Sequence, residues 1–412
     1  MNKKLIPILL LSFMNTIGFS ILIPVLPFLV EQYGGGPILY GVLLSIFSIF
    51  QFIGSPVLGD LSDTYGRKPI LLISHGGTFL GWLLFIAALY LPNIQIWMVA
   101  LPLLGIGLAR AVDGITGGNI SVASAYVSDV VIPSERAKTF GMIGATFGFG
   151  MLIGPVMGGL VSATSFGFAG VGMLAVSISL VTLVSMYLWL PESLPASKRS
   201  HDVSMRLWKR VNTFSRIAHF AQDGQVRTLF SVRVLFSIGF VSYVSIFIFH
   251  AIRFFHLNEL QSAQLMLFTG SFLILNQLFA VKWFVARFGE SKTFSLGQGL
   301  MMIALVAVSF AHTVTVFICF YYFLNLGISL SMATFKSLII QSVSGKKRGE
   351  IMGIEESLVA LVQAIVPVIA GLIYAAIGIM SFSVFALLNV CVFVVIYRHS
   401  KAFSLQLIPI EE

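Results

Sequence analysis

Apolar runs follow one another almost without interruption from residue 5 to residue 397. A run of about 18 or more apolar residues is long enough to cross a bilayer as a helix. Twelve such spans are predicted, over 5–30, 38–59, 70–91, 95–118, 139–163, 167–190, 229–252, 262–285, 293–311, 314–337, 350–376 and 380–397. The breaks between them are short, with one exception. Pro191 to Gln225 is polar and basic and carries Pro191 and Pro195, which reads as a linker between two groups of six helices. The expected organisation is a first six-helix bundle over 1–192, a basic cytoplasmic linker over 193–227, and a second bundle with a short tail over 228–412. Lys3 and Lys4 ahead of the first run suggest a signal peptide. That run is too long for one and lacks a small-residue cleavage site. It also holds Asn15, Gly18, Pro24 and Pro27, which suits a retained, kinked helix.

Composition agrees with the pattern. The chain is 57% hydrophobic and 10% charged, against about 25% charged for an ordinary soluble domain. The mean hydropathy is +0.96. A net charge of +9 raises the question of nucleic acid, but its distribution argues against such a partner. If both termini are cytoplasmic, Arg67, Lys68, Arg136, Lys138, Arg287, Lys292, Lys346, Lys347, Arg348 and the basic linker all fall on that side, with Arg253 the main exception. That asymmetry is the positive-inside rule. Cys319 and Cys391 lie inside apolar spans, and His75, His250 and His312 are scattered without metal-ligand spacing. No Gly-x-x-x-x-Gly-Lys-Ser/Thr phosphate loop is present. No cofactor or metal is therefore expected; if the chain moves solutes, the energy comes from an ion gradient or the movement is passive.

Two halves share one plan. Arg136, Gly141, Pro155 and Gly159 recur as Arg348, Gly353, Pro367 and Gly371, each 212 residues further on. Arg287-Phe288-Gly289-Glu290-Ser291-Lys292 is a faded echo of the charged loop discussed next. Parallel repeats of this kind build two-halved transporters that work by rocking one half against the other.

Between the second and third spans lies Gly59-Asp60-Leu61-Ser62-Asp63-Thr64-Tyr65-Gly66-Arg67-Lys68-Pro69. Asp63 and Arg67 are four apart, within reach on one helical turn. Asp129 ends the fourth span, and Glu135 and Arg136 follow. The pattern Gly-x-x-x-Asp-x-x-Gly-Arg-Lys, from Gly59 through Gly66 to Lys68, resembles the signature loop of the major facilitator superfamily of secondary transporters. The resemblance implies a cytoplasmic latch formed by Asp63, Arg67 and Asp129. Asp63 would face the start of the eleventh helix near Gly349 and Glu350, where the helix dipole favours an anion. The plainer alternative is a charge cluster that only sets topology.

In the fifth span, Gly150, Gly154, Pro155, Gly158 and Gly159 resemble the Gly-x-x-x-Gly-Pro-x-x-Gly-Gly motif of the drug:proton antiporter branch. Small residues four apart let helices approach closely in lipid, and Pro155 removes one backbone bond and is expected to kink the helix. Ordinary close packing would use the same residues.

The fourth span carries Arg110 and Asp113, three apart, followed by Gly114. A charge near mid-membrane costs about 2.5–3.5 kcal/mol on insertion scales, so such residues tend to face the bundle interior and to function. A cation favours the ionised carboxylate and apolar surroundings favour the neutral one. The pair is therefore either a proton-exchange site or a self-neutralising structural pair. Glu355 and Glu356 near the start of the eleventh span are further candidates for a proton or a cationic substrate; near cytoplasmic water they would be merely solvated. Asn15, Gln51, Asn276, Asn325 and Gln363 either line a pathway or hydrogen-bond between helices. Lys282 and Lys336 suit snorkelling, and Arg233 in the seventh span is less easily explained that way.

Across the first six spans the chain resembles the tetracycline-exporter and multidrug group, through Gly18 with Pro24–Pro27, Gly59–Pro69, Arg110–Gly118, Ala125-Tyr126 with Asp129, Glu135–Ala137 and Phe147–Gly159. The resemblance implies an all-α fold of twelve membrane helices in two pseudo-symmetric bundles, not an enzyme. It implies a monomer in a bacterial inner membrane that exports a small organic solute against protons. Where tetracycline exporters carry acids in the first and third helices, this chain has Asn15 and Gly81, so Asp113 or the eleventh helix would have to carry the proton. The alternatives are an importer or metabolite permease of the same fold and, more remotely, a receptor or scaffold that transports nothing.

Overall fold

The computed structural model describes residues 5–199, 224–341 and 348–398. The twelve apolar runs fall mostly on helix. The first span is two helices, α1 (Ile6–Ser20) and α2 (Leu26–Gln32). They are joined by turns in which Ile23 N–H donates to Ser20 and Val25 N–H to Leu22, each at 3.1 Å. Pro24 and Pro27 lack the N–H that would continue the α-helical ladder there. Then follow α3 (Pro37–Tyr65) and α4 (Arg67–Leu89), separated only by Gly66 at φ 105° and ψ 156°.

The fourth span differs from its expected bounds. Residues 95–100 form a small antiparallel hairpin, β1 (Gln95–Ile96) and β2 (Val99–Ala100), turning at Trp97 and Met98. The helix starts at Leu101 and runs as α5 (Leu101–Gly117). It breaks at Gly118-Asn119 and resumes as α6 (Ile120–Val130). Gly and Asn favour non-helical backbone, so the run continues past the residue where composition suggested an end. Next come α7 (Pro133–Ser162) and α8 (Gly167–Trp189).

The later spans are α9 (Gly224–Phe255), α10 (Glu259–Leu275), a π-helical turn at Asn276–Ala280, α11 (Val281–Val308), α12 (Val314–Gln341), α13 (Arg348–Ile377) and α14 (Ser381–Arg398). The eighth and ninth spans meet inside α11 at Gly289, whose φ 75° and ψ 169° repeat the conformation of Gly66. A positive φ of this kind suits Gly, which has no Cβ to clash. The echo seen in sequence is thus also an echo in backbone. Among the described residues, seven helical stretches are long and apolar enough to cross a membrane. Two of them, Glu259–Val308 and Ser357–Ile396, have 50 and 40 residues and each cover most of two expected spans.

The chain forms two compact units, Met1–Val211 with Ala251–Leu267, and Asn212–His250 with Phe268–Glu412. Most of the expected linker lies outside the described residues. In the first unit α1 packs on α7 and α8, α4 on α5 and α8, and α3 on α5. Ile8, Leu11, Leu71, Tyr126, Val127 and Met186 share one core there. In the second, α11 packs on α12 and α14. Large apolar side chains such as Ile73, Val181, Leu188 and Leu387 point outward, each more than 60% exposed. Polar and charged groups, Arg110, Asp113, Asn119 and Glu355 among them, are buried. Apolar surface on this scale suits a lipid environment.

Candidate functional site

Leu101 to Val130 spans roughly 45 Å at about 1.5 Å per residue, and Asp113 lies about 18 Å along it. Asp113 therefore lies well away from either end of this helical run. Arg110 Nη1 donates to Asp113 Oδ2 at 3.1 Å and reaches the carbonyl of Gly18 in α1 at 3.5 Å. The guanidinium lies 4.2 Å from the ring centroid of Phe47 in α3, a cation–π contact that compensates for lost hydration. Both residues are buried, at 3% and 6% exposure. Thr78 of α4 stands beside the carboxylate.

Gly81 of α4 makes this arrangement possible. A Cβ there would stand 3.1 Å from Asp113 Cβ and 3.2 Å from its backbone nitrogen. The missing side chain of Gly81 thus leaves room that Asp113 occupies. A cavity of about 10 Å³, enough for about one water, is lined by Leu22, Gly81, Trp82, Phe85, Ala109, Arg110 and Asp113. Trp82 Nε1 and Arg110 Nε are buried and have no hydrogen-bond partner there. The pair thus adjoins a small void whose lining is mostly apolar. Trp82 and Thr78 carried no signal in the sequence, because nothing in an apolar helix marks which face meets the pair.

The break at Gly118-Asn119 is held by side chains. Asn15 donates to Asn119 Oδ1 at 2.7 Å, Asn119 to Ser74 Oγ at 2.8 Å, and Ser74 to the Thr116 carbonyl at 2.5 Å. Gln51 donates to the Gly117 carbonyl at 3.3 Å. Carbonyls freed by a helix break need partners in a membrane, and Ser74 and Gln51 supply them. Asn15 and Gln51 are thus occupied in interhelical bonds. Asn325 donates to the Tyr321 carbonyl one turn back at 3.0 Å.

The charged loop converges on Arg67, which is 8% exposed. Its Nη1 lies 2.7 Å from Asp63 Oδ1 and donates to Ser62 Oγ at 2.7 Å; its Nε donates to Asp129 Oδ2 at 3.2 Å. Ser193 donates to the same Asp129 oxygen at 3.0 Å. Glu192, just past the end of α8, accepts from the backbone N–H groups of Arg67 at 2.9 Å and Lys68 at 3.2 Å. It satisfies the unpaired donors at the start of α4 and places an anion at the positive end of its dipole. A substituent at Gly66 would collide with the Glu192 carboxylate. Gly59 packs against Ser121 of α6, 3.5 Å from where its Cβ would be. The side chains of Gly349 and Glu350's neighbourhood, the expected counterpart of Asp63, lie outside the described residues.

The glycines of α7 form its contact with α1. A Cβ at Gly150 would meet Thr16 at 2.8 Å, one at Gly154 would collide with Ser20, and one at Gly158 with the Ile21 carbonyl. Ser20 Oγ donates to the Gly150 carbonyl at 2.9 Å. Gly159 faces another way, with Ala263 of α10 in the space of its missing side chain. The helix continues through Pro155.

In the second unit, Arg233 Nε of α9 is 2.7 Å from Glu355 Oε1 of α13, and Glu355 is 3% exposed. The Arg233 guanidinium lies 5.8 Å from the Phe236 ring and 5.6 Å from the Phe335 ring. Arg233 and Glu355 therefore pair; the side chain of Glu356 lies outside the described residues. His75 meets the Ser179 carbonyl at 3.2 Å, and His250 meets Tyr374 Oη at 2.8 Å. Among the described residues no group of three or more His, Cys, Asp or Glu could hold a metal.

Comparison with known proteins agrees with this architecture. The model of the Major Facilitator Superfamily matches residues 8–282 and 272–411. The class C tetracycline resistance protein of Escherichia coli is 30% identical over 379 residues, covering 91% of this chain and 90% of that protein. The class H protein of Pasteurella multocida is 28% identical over 382 residues, with 91% and 90% covered. The crystal structure of the human organic anion transporter MFSD10 (TETRAN) superposes with a TM-score of 0.68 at 21% identity, over 95% of this chain and 98% of that one. The chain belongs to the Major Facilitator Superfamily and is a multi-pass membrane transporter, not an enzyme.

Proposed function

We propose that the protein exports a small organic solute in exchange for protons, and that Asp113 paired with Arg110 carries the proton. The observation that supports this most directly is the buried 3.1 Å pair, well away from either end of its helical run and beside a one-water cavity. A carboxylate in that position can be neutralised by a proton in one state and by Arg110 in the other, so its protonation and the helix arrangement are linked. The tetracycline resistance proteins among its relatives favour efflux. Asn15 and Gly81 stand where those exporters carry acids, so the solute is left as a drug-like amphiphile or metabolite.

On this reading residues 1–192 and 228–412 are the two rocking bundles, with both termini and the 193–227 linker on the cytoplasmic side of a bacterial inner membrane. Arg67, Asp63 and Asp129 latch the cytoplasmic side, and Glu355, held by Arg233, is a second ionisable group on the pathway.

The test is flux in proteoliposomes with an imposed pH gradient, over a panel of dyes, antibiotics and metabolites. Accumulation in everted vesicles that a protonophore dissipates is the expected result. Equilibration indifferent to the gradient would overturn proton coupling, and gradient-driven uptake in the opposite sense would favour the importer.

A further inference from the structure

On the outer surface of the second unit, the π-helical turn Asn276–Ala280 opens a groove of about 910 Å³. It is lined by Leu275, Leu278, Phe279, Trp283, Tyr322, Asn276 and Lys282. Most of this lining is apolar and outward-facing, with Phe279 at 67% and Trp283 at 56% exposure. At its base Asn276 is 3% exposed, and its Nδ2 has no hydrogen-bond partner. A buried amide donor left unpaired costs free energy, so an acceptor from outside the protein would be stabilising. Lys282 is part of the lining, and Arg287, beyond it along the helix, has its guanidinium 5.8 Å from the ring of the lining Trp283. Glu290, the nearest acid along the helix, accepts from Ser337 Oγ at 2.7 Å.

We infer that this groove binds one anionic phospholipid, with its acyl chains running past Leu275, its ester and glycerol region against Asn276 Nδ2, Leu278 and Phe279, and its phosphate near Lys282 and Arg287. Depth supports the assignment. Counted from Glu259, Asn276 lies about 26 Å along the helix and Lys282 about 35 Å. The hydrocarbon layer is about 30 Å thick. Asn276 therefore falls near the level of lipid ester groups, and Lys282, Trp283 and Arg287 fall in the headgroup layer. Trp is enriched at that interface, and basic pockets between membrane helices bind anionic headgroups. A zwitterionic lipid would fill the same apolar surface but bring no net charge to the two cations.

The experiment is native mass spectrometry of the full-length protein, delipidated in detergent and titrated separately with phosphatidylglycerol and phosphatidylcholine. This readout needs no transport, so its failure is independent of the efflux reading. One phosphatidylglycerol should bind per chain in clear preference to phosphatidylcholine. Each surface cation contributes about a factor of five, so K282Q with R287Q together should weaken phosphatidylglycerol roughly thirty-fold. N276L should weaken both lipids while leaving the preference between them. Equal binding of the two lipids, unchanged binding by the double variant, or a dimer that excludes lipid would overturn the proposal. Displacement of the lipid by inorganic phosphate at comparable concentration would also overturn it, because the groove would then contribute nothing beyond the anion site.

Discussion

At the scale of single residues, the Arg110–Asp113 pair is held by neighbours that differ in what they tolerate. Asp113→Asn keeps the shape and removes the ionisable group. It should express and fold while losing pH-driven transport, measured as flux against an imposed gradient. A structural pair would behave otherwise, with poor expression for either single variant and partial rescue when both residues are neutral. If Asp113→Asn transports with unchanged pH dependence, the proton passes elsewhere, and Glu355 becomes the first residue to examine. Gly81 offers an independent check. Its missing side chain is the space beside Asp113 Cβ. Gly81→Val would overpack the junction of α4 and α5 by about 1–3 kcal/mol. It should lower the melting temperature and reduce transport, whereas Val at the neighbouring Leu80, half exposed to lipid, should change neither.

At the scale of elements, α7 and α1 meet through backbone. Close approach in lipid depends on van der Waals contact, because no hydrophobic drive separates helix from tail. Gly158→Leu would push the Ile21 carbonyl away and should cost several kcal/mol by overpacking, of the order of 1–3 or more. Loss of folded protein by size-exclusion chromatography is the expected result, while Val at the exposed Leu160 should be tolerated. α4 starts under a different control. Its first N–H groups bond to Glu192, more than a hundred positions away in sequence. The end of the sixth span thereby fixes where the third begins, and the exit of the first bundle is tied to the charged loop.

At the scale of the whole molecule, the charged loop is where conformational cycling should be felt. Arg67 joins Asp63, Ser62 and Asp129 on one guanidinium. Asp63 is partly exposed, and exposed ion pairs contribute little by themselves. Asp63→Asn should therefore leave expression and substrate binding largely intact. If the loop latches the cytoplasmic side, turnover should fall in Asp63→Asn and more sharply in Arg67→Ala, which leaves Asp129 with Ser193 but without its cation. Substrate binding by calorimetry beside flux in vesicles separates the two effects, and normal turnover by both variants would remove the latch from the mechanism.

Much of this protein is legible without coordinates, because a bilayer demands runs of apolar residues long enough to cross it and helices that satisfy their own backbone. The twelve spans, the repeat, and the Gly59–Lys68 pattern follow from that demand and from local spacing. Arg110 and Asp113 are also local, three apart on one helix, so their pairing could be expected. Partners distant in sequence could not. That Gly81 makes room for Asp113, that Trp82 borders the same cavity, that Asn15 reaches Asn119, and that Glu192 caps α4 depend on which helix faces meet. An almost uniformly apolar chain leaves those faces unmarked. The bounds of the fourth span escaped for a related reason. Gln95 to Ala100 and Ile120 to Val130 are about equally apolar, and only hydrogen bonding makes a hairpin of the first and a helix of the second. Tertiary packing decided these points because it alone supplies the acceptors and the space that each buried polar group requires.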